Sequence, residues 1–333
     1  MFNNIINLHD FVVLGEKLRY DGLRRIAGKF IRSKDSRVED AWQHTQSPPT
    51  HWWDIPLVEK RWNRLITGDE CIDPYTYVSK KYFNDRTDLQ ALSLGCGTGN
   101  RELKWVKAGK IHSIDAYDLS KERIAFAIAQ ARKEGLSDRV KYNVANVFDV
   151  AIRQGSYVVV LAEGALHHFS PLRQILEKVN SCLKPDGYFI INDFVGPSRF
   201  QWTDRQLDIV NGILSVLPSR YRKTWKSEKI KSRVYRPGRF SMFLHDPSEA
   251  AESSRILTLM DGMFDVVEMK EYGGTLLQLL FKDIAHNFLS EDDTTTHLLQ
   301  LCFDIEDELL RSKEIRSDFV FAVCRKRRTQ SDT

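Results

Sequence analysis

A chain of 333 residues with 42% hydrophobic and 28% charged residues is long enough to bury a large core, and its composition excludes a disordered or fibrous protein. A formal net charge of +4 is too small to indicate a dedicated nucleic-acid surface. The first residues carry no apolar segment of a secretory signal, and no run of about 18 apolar residues could span a bilayer. Five scattered cysteines without metal-ligand spacing favour reduced thiols and a cytoplasmic location, and no metal site is predicted.

The N-terminal part of the chain, residues 1–88, shows no alternation of strands and helices, and we predict a helical extension with a linker-like segment at 47–50. In residues 11–31 apolar and basic positions alternate, which indicates a basic amphipathic helix. Such a helix packs on the domain through its apolar face or lies against an anionic membrane surface. We favour packing on the domain.

From residue 89 onward, short apolar runs alternate with helical patterns, which predicts an α/β fold with a parallel sheet. One large domain over residues 89–333 follows, with an insertion at about 197–263 that forms a substrate lid. Ser120 should cap a helix that ends at Gly135, and residues 203–206 (TDRQ) have the form of a capping box. The expected strands cover residues 91–94, 111–117, 140–144, 157–162, 188–191, 265–269 and 318–324.

A glycine loop, Gly95-Cys96-Gly97-Thr98-Gly99, lies where the first strand ends and a helix begins. Backbone N–H groups and a helix dipole are available to a ligand at this place, and glycine permits close approach. Such a loop alone also suits a tight turn or a dinucleotide. Asp118 ends the second strand, where a carboxylate can accept hydrogen bonds from ribose hydroxyls, and Asn146 follows the third strand, where an amide could bind adenine.

Four segments together resemble the motif series of class I S-adenosylmethionine-dependent methyltransferases. They are residues 92–99 (LSLGCGTG), 118–120 (DLS), 162–168 (AEGALHH) and 183–187 (LKPDG). The resemblance implies a Rossmann-like, mostly parallel sheet of seven strands with helices on both faces. It is greatest to the branch that methylates small molecules, including sugars, quinones and secondary metabolites.

The resemblance also implies S-adenosylmethionine as the cofactor and S-adenosylhomocysteine as the product. The implied cofactor contacts are made by Gly95, Cys96, Gly97, Gly99, Asp118, Leu119, Asn146, Val147 and Glu163. For three of these residues a structural role remains open. Asp118 could be a helix cap, Glu163 could pair with an arginine, and Asn146 could be a turn residue.

Methyl transfer to an alcohol requires a base, because the hydroxyl proton leaves as the new bond forms. His167 and His168 follow the fourth strand, and histidine suits this task near neutral pH. Each histidine could instead pack beneath the loop, and we favour His168 as the base. Asp193 follows the fifth strand and could orient a hydroxyl, orient the imidazole or cap a loop.

We therefore predict methyl transfer to a hydroxyl oxygen of a small-molecule or glycan acceptor. The alternatives are N-methylation of an amino sugar or other amine, a nucleic-acid methyltransferase and a non-catalytic S-adenosylmethionine-binding scaffold. No nucleic-acid partner is expected, because residues 162–165 (AEGA) replace the Asn/Asp-Pro-Pro-Tyr motif of base-methylating enzymes. The tight Gly-x-Gly-x-Gly spacing argues against a nicotinamide-dependent oxidoreductase. Aromatic and basic residues on both sides of the core could form the acceptor pocket: Trp52, Trp53, Arg61, Trp62, Tyr77, Arg199, Phe200, Trp202, Tyr221, Arg222 and Tyr235.

Overall fold

The computed structural model describes residues 51–84, 86–227, 229–239, 242 and 246–327. The predicted amphipathic helix at 11–31, its proposed membrane contact and the linker at 47–50 lie outside these residues. Within the described ranges, no helix is both long and apolar enough to cross a membrane.

A seven-stranded sheet forms the centre of the molecule. Its strands are β1 (Leu89–Leu94), β2 (Ile111–Asp118), β3 (Val140–Val144), β4 (Tyr157–Glu163), β5 (Leu183–Phe194), β6 (Phe264–Gly273) and β7 (Phe319–Lys326). They are arranged in the order β3-β2-β1-β4-β5-β7-β6, and β1 to β5 are parallel. β7 runs antiparallel to both of its neighbours. The predicted Rossmann-like, mostly parallel sheet of seven strands is confirmed.

Nine α-helices connect and flank the strands in the described part of the chain. They are α1 (Pro56–Thr67), α2 (Pro74–Tyr82), α3 (Asn100–Lys107), α4 (Lys121–Lys133), α5 (Leu172–Cys182), α6 (Asp204–Val216), α7 (Ile256–Met263), α8 (Leu277–Phe281) and α9 (Asp293–Arg311). Two predicted caps are present. The Ser120 side chain accepts a hydrogen bond from Arg123 N at the start of α4, and Thr203 and Gln206 form a reciprocal capping box at α6.

Only the bounds of β3 match the prediction at both ends, and the starts of two strands differ from it by more than one residue. β1 begins at Leu89 instead of residue 91, and β5 begins at Leu183 instead of residue 188. Leu183 is already paired with Tyr157 of β4, so residues 184–187, whose proline and glycine are typical of a turn that ends a helix, lie within an extended strand. The turn-forming residues 184–187 therefore indicate that α5 has ended, but they do not mark the start of β5, which begins at Leu183.

The N-terminal helices and the sheet share one hydrophobic core. Trp52, Ile55 and Val58 are buried in the same cluster as Leu89 of β1 and Phe321 of β7. Two helices that pack against each other form what we call the cap. They are α6, from the insertion after β5, and α8, from the connection between β6 and β7. At the carboxyl end of β5, Phe194 contacts Phe200, which precedes α6.

Candidate active site

The glycine loop joins β1 to α3 with all three glycines in the left-handed region, at φ of +69° for Gly95, +55° for Gly97 and +78° for Gly99. A Cβ atom on Gly99 would lie 2.5 Å from Tyr142 Oη, and one on Gly95 would lie 2.8 Å from Ala165 Cβ. These two glycines are therefore required by packing within the chain. A Cβ on Gly97 would approach only the guanidinium of Arg123, at 3.3 Å.

Asp118, at the carboxyl end of β2, is hydrogen-bonded to this loop. Its Oδ2 accepts a hydrogen bond from Gly97 N at 2.8 Å, and its Oδ1 accepts one from Ser120 N at 2.9 Å. A carboxylate has about four acceptor positions, so both oxygens can still accept from a ligand. The Asp118 side chain therefore stabilises the start of α4, as the helix-cap alternative predicts. Its remaining acceptor positions are still available to ribose hydroxyls.

Four more of the predicted cofactor-contact residues follow the carboxyl ends of β1, β2 and β3. Asn146 Oδ1 accepts a hydrogen bond from Phe148 N at 3.1 Å, which gives Asn146 the turn geometry that the sequence left open. Val147 is buried in the core, whereas Leu119 and Cys96 are half-buried. Burial raises the pKa of the Cys96 thiol, which favours the neutral form.

Glu163 ends β4 with its carboxylate in the protein interior. Its Oε1 accepts a hydrogen bond from Trp105 Nε1 at 2.6 Å, and burial raises the pKa of the carboxyl group. The Arg101 guanidinium donates a hydrogen bond to the main-chain oxygen of Glu163. Glu163 therefore links α3 to β4 at the place where the polypeptide turns toward the two histidines.

Asp193 organises the turn that carries the histidines. Its Oδ2 accepts hydrogen bonds from Ala165 N and Leu166 N, both at 2.8 Å, and its Oδ1 lies 2.5 Å from His167 Nδ1. Burial lowers the pKa of His167, but the charge and hydrogen bond of Asp193 outweigh burial and raise it above its usual value. Asp193 thereby holds a proton on Nδ1 and leaves Nε2 as the acceptor nitrogen.

The sequence-based preference for His168 differs from this geometry, because Asp193 contacts His167. The two imidazole centroids are 3.9 Å apart. Burial, together with the nearby charges of His167 and Arg123, lowers the pKa of His168 well below its usual value. His168 is thus kept neutral beside a histidine that binds protons more strongly.

One acidic residue of this site, Glu249, was missed by the sequence analysis. Its Oε1 lies 3.7 Å from His167 Nε2, and its Oε2 lies 4.0 Å from His168 Nδ1. Burial raises the pKa of Glu249 to about 7. No local pattern could have revealed this residue, because it belongs to the insertion and is 82 positions from His167 in the sequence.

Three aromatic rings continue from the histidines toward the cap. Phe194 meets His167 edge to face at 6.1 Å and meets Phe200 at 5.0 Å, while Phe200 stacks on Trp202 at an interplanar angle of 7°. Phe200 has a φ of +49°. Such backbone strain in a residue with a side chain is common at ligand-binding sites.

Other residues that were considered for the acceptor pocket have structural roles. Trp52 is buried in the core. The Arg61 guanidinium forms a buried ion pair with Glu306 at 3.1 Å. Tyr77 donates a hydrogen bond to Glu268 on β6. Their contacts stabilise the N-terminal helices against the sheet, away from the histidines.

Comparison with known proteins identifies the class of this domain. Residues 92–191 match the family model described as "Methyltransferase domain". The chain is 25% identical over 136 residues to the 27-O-demethylrifamycin SV methyltransferase of Amycolatopsis mediterranei, covering 40% of this chain and 50% of that protein. It is 26% identical over 180 residues to the sterol methyltransferase-like 3 of Botryococcus braunii, covering 52% and 43%. The chain thus spans about half the length of the curated relatives it matches.

Among solved structures, the chain is similar to the geranyl diphosphate C-methyltransferase of Streptomyces coelicolor, with 12% identity, a TM-score of 0.49 and coverage of 89% of this chain and 98% of that chain. Residues 92–191 are a methyltransferase domain of the S-adenosylmethionine-dependent class. They span the sheet from β1 into β5 and include the glycine loop, Asp118 and both histidines.

Proposed function

We propose that this chain transfers a methyl group from S-adenosylmethionine to a hydroxyl oxygen of a small-molecule or glycan acceptor, with S-adenosylhomocysteine as the product. The observation that carries the proposal is the 2.5 Å contact between Asp193 Oδ1 and His167 Nδ1. It provides an oriented base within a methyltransferase domain. An alcohol needs such a base, whereas a neutral amine can attack without losing its proton first.

The residues of the glycine loop and the neighbouring strand ends fit the cofactor. A Cβ on Gly97 would approach only the flexible guanidinium of Arg123, so the space beside this glycine suits a ligand. Asp118 can accept from both ribose hydroxyls, Leu119 and Val147 would form the walls of the adenine pocket beside Asn146, and Cys96 would contribute to the loop. Gly95, Gly99 and Glu163 would hold the loop and the methionine side of the pocket in place.

The proposed reaction is an in-line displacement. S-adenosylmethionine supplies a methyl group on a sulfonium: the acceptor oxygen forms the new C–O bond with its lone pair, and the electron pair of the broken C–S bond stays on sulfur. His167 Nε2 takes the hydroxyl proton. Asp193 stabilises the resulting imidazolium while remaining ionised, because the proton on Nδ1 stays on the ring.

The acceptor would lie against the aromatic rings next to His167. The half-buried Phe200, supported by the buried rings of Phe194 and Trp202, offers apolar surface that suits a hydrophobic or ring-shaped molecule. Two similar proteins are named for small-molecule methylation, one on a rifamycin and one as sterol methyltransferase-like. These names support a small molecule over a macromolecule, and the five unpaired thiols support a cytoplasmic setting.

Incubation with methyl-labelled S-adenosylmethionine and a metabolite and glycan extract would test the proposal, with NMR identification of the labelled product. We expect the label in a methyl ether and transfer about a hundredfold slower, or slower still, in a folded His167→Ala variant. A label on nitrogen would favour the amine-directed alternative. Cofactor binding without transfer to any fraction would favour a non-catalytic scaffold.

A further inference from the structure

We propose that His167, His168 and Glu249 together bind a divalent transition-metal ion such as Zn²⁺, and that the bound ion switches the base off. The second half rests on the proposed function, because it assumes that His167 Nε2 takes a proton from the acceptor. The first half is a property of three side chains and stands independently. The site is formed only when the insertion places Glu249 over the two histidines.

The distances suit a common metal ion. One ligand atom from each of the three residues can be chosen so that all lie within 4.8 Å of one another. Two ligand atoms bound to one zinc ion at about 2.1 Å can be no more than about 4.2 Å apart, and tetrahedral ligands are about 3.4 Å apart. The distances of 3.7 Å and 4.0 Å join different oxygens of Glu249 to the two imidazoles, and both are below the upper limit. Side-chain rotations are needed to bring one ligand atom from each residue, now within 4.8 Å of one another, to the spacing of a zinc site.

The surroundings of His167 have the form expected of a metal ligand. A histidine that binds a metal through one ring nitrogen usually donates its other N–H to a carboxylate, which fixes the ring and its tautomer. Asp193 makes this contact to Nδ1 and is itself held by two backbone N–H groups. His167 Nε2 therefore faces Glu249. The contact between Asp193 and His167 orients Nε2 as a base and orients it equally as a metal ligand.

Glu249 is held above the histidines by contacts that do not use its carboxylate. Arg199 Nη1 donates a hydrogen bond to Glu249 O at 3.2 Å, and Arg199 N donates to Ala250 O at 2.6 Å. The side chain is therefore carried on an anchored turn and can move a short distance toward the imidazoles. Two imidazoles and one carboxylate suit Zn²⁺, Co²⁺ or Ni²⁺ better than Mg²⁺, which prefers oxygen ligands.

Occupation of this site has a direct chemical consequence. Coordination uses the lone pair of His167 Nε2, so this nitrogen cannot accept the hydroxyl proton while the metal is bound. The cation would also lie between the two histidines and Glu249, next to the nitrogen that the acceptor hydroxyl must approach. Metal binding and methyl transfer should therefore exclude one another.

Direct binding to the untagged chain provides the first test. We expect calorimetric titration with Zn²⁺ to give one ion per chain, and Glu249→Gln and His168→Ala each to weaken binding at least tenfold. His112→Ala and Glu177→Gln remove an exposed histidine and an exposed glutamate elsewhere and should bind as the unchanged chain does. Absence of saturable binding, or equal affinity in all five proteins, would overturn the proposed site.

A second measurement separates this proposal from the proposed function. Methyl transfer by the unchanged chain should fall at least tenfold when Zn²⁺ occupies the site and recover after chelation. Glu249→Gln, compared with its own rate without Zn²⁺, should show a much smaller loss at the same Zn²⁺ concentration. Site-specific binding with full activity would overturn the regulatory half alone. Site-specific binding by a chain that methylates no acceptor would leave the metal site standing and contradict the proposed function.

Discussion

Asp193 Oδ1 and His167 Nδ1 are 2.5 Å apart, although they are separated by 26 positions. His167 follows β4, whereas Asp193 lies within β5, and not after it as the sequence had indicated, because β5 extends to Phe194. Asp193 is only 1% exposed, and its second oxygen is occupied by two backbone N–H groups of the turn before His167. The carboxylate therefore fixes both the position of the imidazole and the nitrogen that carries the proton. This relationship connects the fold to the proposed proton transfer.

The pH dependence of methyl transfer should report this contact. Only neutral His167 can accept a proton, so kcat/KM should rise with pH through an inflection above the usual histidine value of about 6.5. Asp193→Asn removes the negative charge that stabilises the imidazolium, so it should move the inflection to lower pH. It should also reduce the plateau rate by about a hundredfold or more. An unchanged inflection in a folded Asp193→Asn variant would show that the contact between Asp193 and His167 does not set the pH dependence.

Cofactor affinity should depend on Asp118. Asp118→Ala removes at least one charge-assisted hydrogen bond to the ligand, worth roughly 1.5 kcal/mol or more, and should weaken S-adenosylmethionine binding about tenfold or more in calorimetry. Asp138→Ala, at an exposed aspartate, provides the matched control. Circular dichroism is needed in parallel, because Asp118 also holds Gly97 N and Ser120 N. Unchanged affinity in the folded variant would remove the ribose assignment.

Alanine substitutions at three glycines with positive φ should distinguish a role in packing from a role in ligand binding. Gly99→Ala combines left-handed strain with a Cβ that would lie 2.5 Å from Tyr142 Oη, so unfolding by denaturant should show a loss of about 2–4 kcal/mol. Gly109→Ala introduces strain with nothing within 4 Å and should lose only about 1–2 kcal/mol. Gly97→Ala should affect cofactor affinity more than packing. Equal stability losses for Gly99→Ala and Gly109→Ala would contradict this packing role.

The buried ion pair of Arg61 should matter for stability. Glu306 is fully buried, and its carboxylate also accepts hydrogen bonds from the backbone of Gly274, Leu276 and Leu277. Arg61→Met leaves this charge unpaired and should reduce the free energy of unfolding by about 3–5 kcal/mol. Arg311→Met breaks an exposed pair on α9 and should cost less than about 1 kcal/mol. A direct acceptor role for Arg61 would instead appear as a raised KM with unchanged stability.

The sequence was most informative where a feature is contiguous. The glycine loop, Asp118 and the alternation of strands with helices are local patterns, and they were sufficient to predict the sheet and the edge at which the site lies. The choice between His167 and His168 depends on the short helical turn Leu166–His168, whose orientation is set by Asp193 across the sheet edge. Glu249 could not be predicted, because its contact with the histidines depends on how the insertion folds back.

The proposed base is tested most directly by measuring kcat and S-adenosylmethionine affinity together for His167→Ala and His168→Ala with an identified acceptor. We expect His167→Ala to lower kcat by about a hundredfold or more, the usual contribution of a positioned base, while cofactor affinity stays within about twofold. His168→Ala should have the smaller effect on kcat. Full activity of a folded His167→Ala variant across the pH range would contradict the account.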